Sequence, residues 1–272
     1  MSGKLGLKVP DSIKLKLNGQ LAEPVTAKDL ALFLVGRLGS SGANYKSLEF
    51  CGPALLSLDM DDRLTLCNML VETGAKCSIM PYDPITENYL AETLSQESKP
   101  VAANPGAVYE DIIRIDLNRV EPQIAAPHQV DNVHALSELA DTPIDMVVIG
   151  TCTNGRLKDL QQAAGILDKH RKAAGVELLV VPASRRIYRQ AAEQGLLEIF
   201  SRHGAMILPP GCGPCCGSSA GIPGDNKNIL STANRNFLGR MGNVRANIYL
   251  GSPLSAAAAA IAGKITDPRR MF

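Results

Sequence analysis

The sequence predicts an α/β protein of two domains with mostly parallel sheets. The chain has 272 residues, which is enough for two domains of ordinary size. Its composition, 45% hydrophobic and 20% charged, is that of a globular protein. Its second half alternates short apolar runs with segments of helical periodicity. Strands that alternate with helices form parallel sheets through right-handed crossovers.

The first half begins with a strand and a capped helix. Apolar and polar residues alternate over 13–17 and lead into Asn18-Gly19, which indicates a strand that ends in a turn. Thr26, with Asp29 three residues later, resembles a capping box for a helix over 27–38. Three further elements are expected in this half: a helix over 60–73, a strand over 76–80 and a helix over 85–94.

A linker and the alternating second half follow. The polar, proline-containing stretch from Glu97 to Gly106 is the best candidate for a linker. We expect one domain over residues 1–112 and the other over 113–272. The second is expected to hold strands over 144–149, 176–181 and 205–208, helices over 157–174 and 185–200 with a break near Gly195, and a packed helix at the alanine run 256–261.

Bulk properties exclude several kinds of partner. The net charge is +1, and no basic stripe or acidic tail suggests binding to nucleic acid or to an anionic membrane. There is no tryptophan to form a stacking platform for bases. The first residues lack the apolar run of a secretory signal, and the alanine run is too short to span a bilayer. A cytoplasmic location is expected.

Seven cysteines are many for a chain in a reducing compartment, and clustered cysteines there favour metal or redox chemistry. Cys152 directly follows the predicted strand 144–149, and Cys212 and Cys215 follow the strand 205–208. Ligands bind at the carboxyl ends of parallel strands, so the two loops can converge.

The spacing alone leaves three interpretations of these thiols. Three thiolates suit a soft metal, either zinc or an iron–sulfur cluster with one iron left open. A structural zinc site would want a fourth ligand, for which Cys216 is the neighbouring candidate. A redox-active Cys-x-x-Cys pair and buried structural thiols are the other two interpretations.

Four motifs of the sequence resemble the aconitase superfamily, close to its isopropylmalate dehydratase and homoaconitase branch. They are Gly150-Thr-Cys-Thr-Asn-Gly-Arg156, Cys212-Gly-Pro-Cys215, Ser231-Thr-Ala-Asn-Arg-Asn-Phe-Leu-Gly-Arg240 and Cys67-Asn-Met-Leu-Val-Glu72. Weaker similarity extends over essentially the whole chain. The resemblance implies three-layer α/β domains, with the cysteines on the second.

The resemblance also implies the cofactor and the reaction. Cys152, Cys212 and Cys215 would ligate a 4Fe–4S cluster whose fourth iron has no cysteine ligand. The expected reaction is dehydration and rehydration of a 2-hydroxy diacid such as isopropylmalate, as in leucine biosynthesis. The substrate is thus a small polycarboxylate.

Roles for other residues follow from the same resemblance. Glu72 would take part in proton transfer, and Asn68, four residues before it on one predicted helix, would bond near the cluster. Arg235 and Arg240 would clamp substrate carboxylates through bidentate pairs. Three more roles are expected: cluster support by Asn154 and Asn234, and a contact of Arg156 with substrate or small subunit.

The other cysteines and two of the histidines are expected to be structural. Cys216 is expected to be packed rather than ligating. Cys51, Cys67 and Cys77 are expected to be core thiols, and His128 and His134 to be structural.

The resemblance implies partner chains as well. Large subunits of this branch normally carry a further N-terminal domain, which nothing in this sequence matches, and they act with a small swivelling-domain subunit. We therefore expect a complex with a small subunit, with the N-terminal domain supplied by a separate polypeptide or lost by truncation. The alternative is a catalytically incomplete cluster-binding or regulatory module.

Overall fold

A computed structural model describes residues 3–93 and 99–272 of the chain. The first half forms a four-stranded, wholly parallel sheet in the order β3-β2-β1-β4. Its strands are β1 (Ser12–Asn18), β2 (Ser47–Cys51), β3 (Cys77–Ile79) and β4 (Asp111–Asp116), and its helices are α1 (Ala27–Leu38), α2 (Met60–Met69) and α3 (Pro84–Thr93).

The second half forms a seven-stranded sheet in the order β6-β5-β11-β10-β7-β8-β9. The strands from β11 to β9 in this order are parallel, and β5 and β6 add an antiparallel edge. The strands are β5 (Gln123–Ala125), β6 (Val133–Ala135), β7 (Met146–Gly150), β8 (Glu177–Val181), β9 (Met206–Ile207), β10 (Asn228–Ser231) and β11 (Asn247–Leu250). The helices are α4 (Thr151–Asn154), α5 (Leu157–Leu167), α6 (Arg185–Glu193), α7 (Leu196–Arg202) and α8 (Pro253–Ala262). The predicted α/β class with mostly parallel sheets is confirmed.

The two sheets share a hydrophobic core, and β7 shows how. Side chains alternate across a strand, so Val148 points to the core that also contains Leu15 and Leu30 of the first half. Val147 and Ile149 point to a second core, built with α5 and α8. Because β7 is covered on both faces, its five residues are all buried and apolar or small. The loop that follows β7 is thereby fixed against the first half.

Local sequence signals explain most of the element boundaries. Thr26 and Asp29 form the predicted capping box of α1, and Gly39 ends the helix. The predicted break near Gly195 separates α6 from α7, and the alanine run lies in the buried helix α8. Residue 94 of one predicted helix and residues 97–98 of the predicted linker lie outside the described residues.

Two predicted helix ends were wrong. The helix expected over 60–73 ends at Met69 and tightens into a 3₁₀ turn over Leu70–Thr73, which Gly74 closes in the left-handed region. The helix expected over 157–174 ends at Leu167. The last strand of the first sheet, β4, runs through the expected division at 112/113, so that sheet ends at Asp116. The division into domains itself stays a prediction.

Within the described residues, no helix is both long enough and apolar enough to cross a membrane.

Arg63 is a fully buried cation that holds the start of α2 to its surroundings. Its guanidinium makes two hydrogen bonds to the Asp83 carboxylate, at 2.7 and 2.6 Å. It also donates to the carbonyls of Leu55 and Leu58, at 2.9 and 3.1 Å. The hydrogen bond from Arg63 holds the pKa of Asp83 below its ordinary value of 3.8.

Replacing Arg63 by methionine is expected to lower the free energy of unfolding by about 3 kcal/mol, because the Asp83 carboxylate and two carbonyls lose their partner. Urea unfolding followed by circular dichroism measures this loss. Since the folded pKa of Asp83 lies below the unfolded one, the pair stabilises the protein above about pH 4 and less as the pH falls further. The matched control is Arg202→Met, whose 2.9 Å pair with Asp168 is exposed and should cost under about 1 kcal/mol. Equal losses would contradict the prediction.

Candidate functional site

Three loops meet at one edge of the second sheet. Strands β7, β9 and β10 share a direction, so their carboxyl ends lie on the same edge, where ligands bind in such sheets. Cys152 lies in the short helix α4 directly after β7, and Cys212 and Cys215 lie in the loop after β9. The loop after β10 carries Asn234 and Arg235. The convergence predicted from the sequence has its basis in this strand order.

The turn into the Cys152 loop depends on Gly150. Its φ is +122°, and a Cβ built on it would lie 2.0 Å from the carbonyl oxygen of Val181. Only glycine avoids both the strain and the clash. Thr232 then fixes the turn, since its hydroxyl oxygen accepts from the Gly150 N–H at 2.8 Å and donates to the Gly150 carbonyl at 3.2 Å. The loops after β7 and β10 are thus held together beside Cys152.

The second cysteine loop is one 3₁₀ turn, Gly213–Cys216. The Cys215 N–H donates to the Cys212 carbonyl at 3.1 Å, and Gly217 ends the turn in the left-handed region. Cys215 is buried, whereas Cys212 and Cys152 are exposed. Two of the three predicted ligands are therefore open to solvent, and the third is not.

Polar groups surround two of these sulfurs. The Cys215 thiol donates to Asn234 Oδ1 at 3.7 Å, and an Arg240 guanidinium nitrogen lies 3.8 Å from the same sulfur. Asn68 Nδ2 lies 4.0 Å from the sulfur of Cys152. These distances are at the limit for hydrogen bonds to sulfur, so the groups are near neighbours rather than tight partners. Asn68 and Asn234 therefore lie beside two of the three predicted ligands, and their roles there stay predictions.

The electrostatics of Cys215 shows that the three thiols interact. Burial raises the pKa of the Cys215 thiol, and the hydrogen bond and positive charge of Arg240 act in the opposite direction. The thiols of Cys152 and Cys212 raise it further, since like charges disfavour each other. Cys152 and Cys212 therefore both lie within electrostatic reach of Cys215.

Over residues 3–93 and 99–272, no group of three or more His, Cys, Asp or Glu side chains surrounds a single point that could hold one metal ion. In an iron–sulfur cluster each thiolate binds its own iron, so the three sulfurs need not surround one point. Arg240, which lies beside the Cys215 sulfur, also has a buried Nε without a hydrogen-bond partner, and an acceptor bound at the site would satisfy this donor. The donor set fits a cluster better than a single ion.

Glu72 and Arg235 form an ion pair between the two halves. Arg235 Nε donates to Glu72 Oε1 at 2.8 Å. The Glu72 side chain is 5% exposed, whereas 37% of the Arg235 side chain is exposed. Glu72 lies on the 3₁₀ turn after α2 rather than on the same helix as Asn68. The pair places one carboxylate and one open guanidinium edge beside the cysteine loops.

Two predicted site residues bond to neighbouring groups of the protein. The buried Asn154 amide donates to Asp159 at 3.0 Å and to Thr65 at 3.5 Å. Arg156 donates to the Thr153 carbonyl at 2.7 Å and to Thr65 at 3.2 Å. Its side chain is 15% exposed, so it anchors the Cys152 loop to α2 rather than presenting a free guanidinium.

The remaining cysteines differ from expectation in their exposure. Cys216 was expected to be packed but is exposed, because the 3₁₀ turn points it away from Cys215. Its sulfur lies 3.0 Å from the Ser218 hydroxyl. The three cysteines of the first half, expected in the core, are only partly buried: Cys51, Cys67 and Cys77. His134 bonds to Asn132 at 3.0 Å, and His128 pairs as a β-bridge with Phe237.

Sequence reasoning missed Lys28, Asp159 and Thr232. Lys28 is fully buried in α1 and donates to the carbonyls of Thr232 and Ala233. Asp159 accepts from Asn154 and from the Arg156 N–H, and burial raises its pKa to about 6. A lysine in the first turn of a helix, where the helix dipole disfavours cations, was a usable signal for Lys28. Nothing in the sequence distinguishes Thr232.

Known proteins resemble this chain closely. It is 50% identical over 273 residues to 3-isopropylmalate dehydratase large subunit 1 of Thermotoga maritima, covering 99% of this chain and 65% of the relative. It is 48% identical to 3-isopropylmalate dehydratase large subunit 2 of Archaeoglobus fulgidus, with the same coverage. It is 46% identical to a probable methanogen homoaconitase large subunit of Methanosarcina mazei, covering 99% of this chain and 68% of the relative. The chain thus spans about two thirds of the length of these relatives.

The sequence profile of the aconitase family (aconitate hydratase) matches residues 1–143 and 135–263, which together are most of the chain. A profile match of this extent, together with 46–50% identity over 99% of the chain, is far beyond what shared composition or a common fold class produces. The chain therefore belongs to the aconitase family.

Proposed function

We propose that this chain is a subunit of an iron–sulfur hydro-lyase that dehydrates and rehydrates a 2-hydroxy diacid such as 3-isopropylmalate, as in leucine biosynthesis. One observation carries the proposal: three cysteine thiols share one sheet edge with Arg240 and with the Glu72–Arg235 pair. Thiolates, guanidinium groups and a carboxylate are the groups that a cluster, a diacid and a proton transfer require.

Cys152, Cys212 and Cys215 would hold a 4Fe–4S cluster, one iron each. When bound, the cluster supplies an iron without a cysteine ligand, a Lewis acid for the substrate hydroxyl. Arg240 lies against the sulfur of Cys215 and would donate a hydrogen bond to its thiolate form. Asn234 accepts from the thiol through Oδ1 and would donate to the thiolate only with its amide turned so that Nδ2 faces the sulfur. Such bonds shorten and strengthen when the acceptor is charged.

The substrate carboxylates would be bound by the two arginines. Arg235 uses Nε for Glu72, which leaves its partly exposed terminal nitrogens for a carboxylate. Arg240 has a buried Nε without a partner, and desolvated donors of this kind gain most from a charged acceptor. Two fixed cations are what a dianionic substrate needs.

Glu72 would carry the proton. Its Oε1 accepts from Arg235, so transfer to or from water or substrate falls to Oε2. The pair orients the carboxylate, and burial keeps bulk water from competing for it. Asn68, whose Nδ2 lies near the sulfur of Cys152, would donate a hydrogen bond to groups bound beside that cysteine.

The relatives named above are large subunits, and we propose that this chain likewise acts with a small subunit. The small subunit would close the site and shape the pocket for the substrate side chain. Supply of the N-terminal domain by a separate polypeptide stays a prediction, as does a cytoplasmic location.

The test is anaerobic purification of the full chain from its own cells with whatever copurifies, followed by iron and sulfide analysis and an activity assay. We expect about four irons per chain, and ultraviolet absorbance of an alkene diacid after addition of isopropylmalate or a related malate. Zinc, or no metal under strict anaerobiosis, would overturn the proposal. A complete cluster with no turnover by any copurified complex would favour a catalytically silent module instead.

A further inference from the structure

Lys28 is an unexplained buried cation beside the cysteine loops. It lies in the first turn of α1 and is 0% exposed, so it cannot touch a substrate. A buried lysine is rare unless it is paired, because removing an ammonium from water is costly. Its contacts must therefore compensate for that cost, and they show what it holds.

The Lys28 ammonium reaches three elements. It donates to the carbonyls of Thr232 at 2.9 Å and Ala233 at 2.7 Å, in the loop after β10. It also lies 3.6 Å from the sulfur of Met69, at the end of α2 next to Asn68. Lys28 thus connects the first half of the chain to the loop that carries Asn234 and Arg235.

The same loop connects Lys28 to both sets of cysteines. Thr232, whose carbonyl Lys28 holds, bonds through its hydroxyl to Gly150 just before the Cys152 loop. Asn234, next to Ala233, accepts from Cys215 at 3.7 Å. One side chain therefore fixes the segment on which both cysteine loops rest.

Charge gives this arrangement a second consequence. Burial lowers the pKa of Lys28 to about 7, whereas the negative charges of Asp159, Cys215, Asp29 and Cys152 all act to raise it. Two of these four groups, Cys215 and Cys152, are proposed cluster ligands, so the charged form of Lys28 and their thiolate forms would each favour the other. No acidic side chain forms an ion pair with Lys28 over residues 3–93 and 99–272; its direct partners are carbonyls and a thioether.

We propose that Lys28 is a positioning residue for the cluster site, which fixes the loop after β10 through the Thr232 and Ala233 carbonyls and adds a positive charge near the proposed ligands Cys152 and Cys215. This inference rests on the proposed function, because it presumes that the cysteines hold a cluster. Its expected effects are slower loss of iron and a higher reduction potential in the wild type, since net charge and hydrogen bonding set cluster potentials.

The test is Lys28→Met in the full chain, reconstituted anaerobically beside the wild type. We expect the half-time of iron release to a chelator to shorten about tenfold, as when charge-assisted hydrogen bonds are lost. The midpoint potential, followed by electron paramagnetic resonance, should become more negative. The matched control is Arg63→Met, which also removes a fully buried cation, but one whose partners are Asp83 and the carbonyls of Leu55 and Leu58 rather than the loop after β10. It should leave the potential unchanged.

Wild-type release and potential in Lys28→Met would overturn the role of Lys28 alone. A wild-type chain that binds no iron would overturn the proposed function and this inference with it. Should Lys28→Met fail to fold, Thr232→Val tests the same connection, since it removes the hydroxyl bonded to Gly150 and keeps the ammonium. Faster iron release at an unchanged potential would support the proposal, and wild-type release would overturn it.

Discussion

Replacing Cys215 by serine is expected to abolish cluster binding, whereas replacing its neighbour Cys216 by serine should leave it unchanged. The two residues are adjacent in one 3₁₀ turn but point differently. Cys215 is buried against Asn234 and Arg240, and it interacts electrostatically with Cys152 and Cys212. Cys216 is exposed, and its sulfur lies beside the Ser218 hydroxyl. The burial and the neighbours of each thiol should therefore decide which of the two is a ligand.

Iron and sulfide analysis after anaerobic reconstitution measures the difference. We expect about four irons per chain in wild type and in Cys216→Ser, and close to none in Cys215→Ser. Serine is nearly isosteric, so circular dichroism should show the same fold in both variants. A cluster that survives in Cys215→Ser and is lost in Cys216→Ser would mean that the loop reorganises around a different thiol. The ligand set proposed here would then be wrong.

The sequence predicted the α/β class because its strongest signals are local. The capping box of α1, the buried run of β7 and the break at Gly195 each depend on a few neighbouring residues. Six of the strands that the structure describes were not predicted: β2, β4, β5, β6, β10 and β11. Strands β5 and β6 have three residues each, too few for a periodicity to emerge. The other four have four to six residues, and all six strands form because the sheet supplies their partners.

The candidate site was predictable only in part. The cysteines were found because thiols that follow predicted parallel strands must lie at one sheet edge. The contacts of Asn154 and Arg156 were not found, because each depends on where α2 packs against the Cys152 loop. Contacts between elements that are distant in the sequence leave no periodic pattern in the sequence itself. The same reason hides Thr232, which meets Gly150 over a separation of 82 residues.

Contacts between the two halves determine the site more than either sheet does. Glu72 and Asn68 come from the first half, and the cysteines and arginines come from the second. The shared core and the hydrogen bonds of Lys28 fix the position of these two sets of residues relative to each other. A substitution that weakens the packing between the two halves should therefore impair the proposed catalysis before it unfolds either sheet.

Replacing Glu72 by glutamine is expected to reduce kcat by a factor of 10² to 10⁴, the usual range for loss of a general acid or base. Glutamine preserves the shape and can still accept from Arg235, so the loss should come from the missing proton-transfer group. Turnover of the reconstituted complex, normalised to cluster content, measures it. The matched control is Glu193→Gln, another glutamate paired with an arginine, at 3.4 Å from Arg189 but 63% exposed on α6. It should leave kcat unchanged. If Glu72→Gln keeps more than a tenth of wild-type turnover with an intact cluster, Glu72 serves only to orient Arg235, and the proton must be carried by another group.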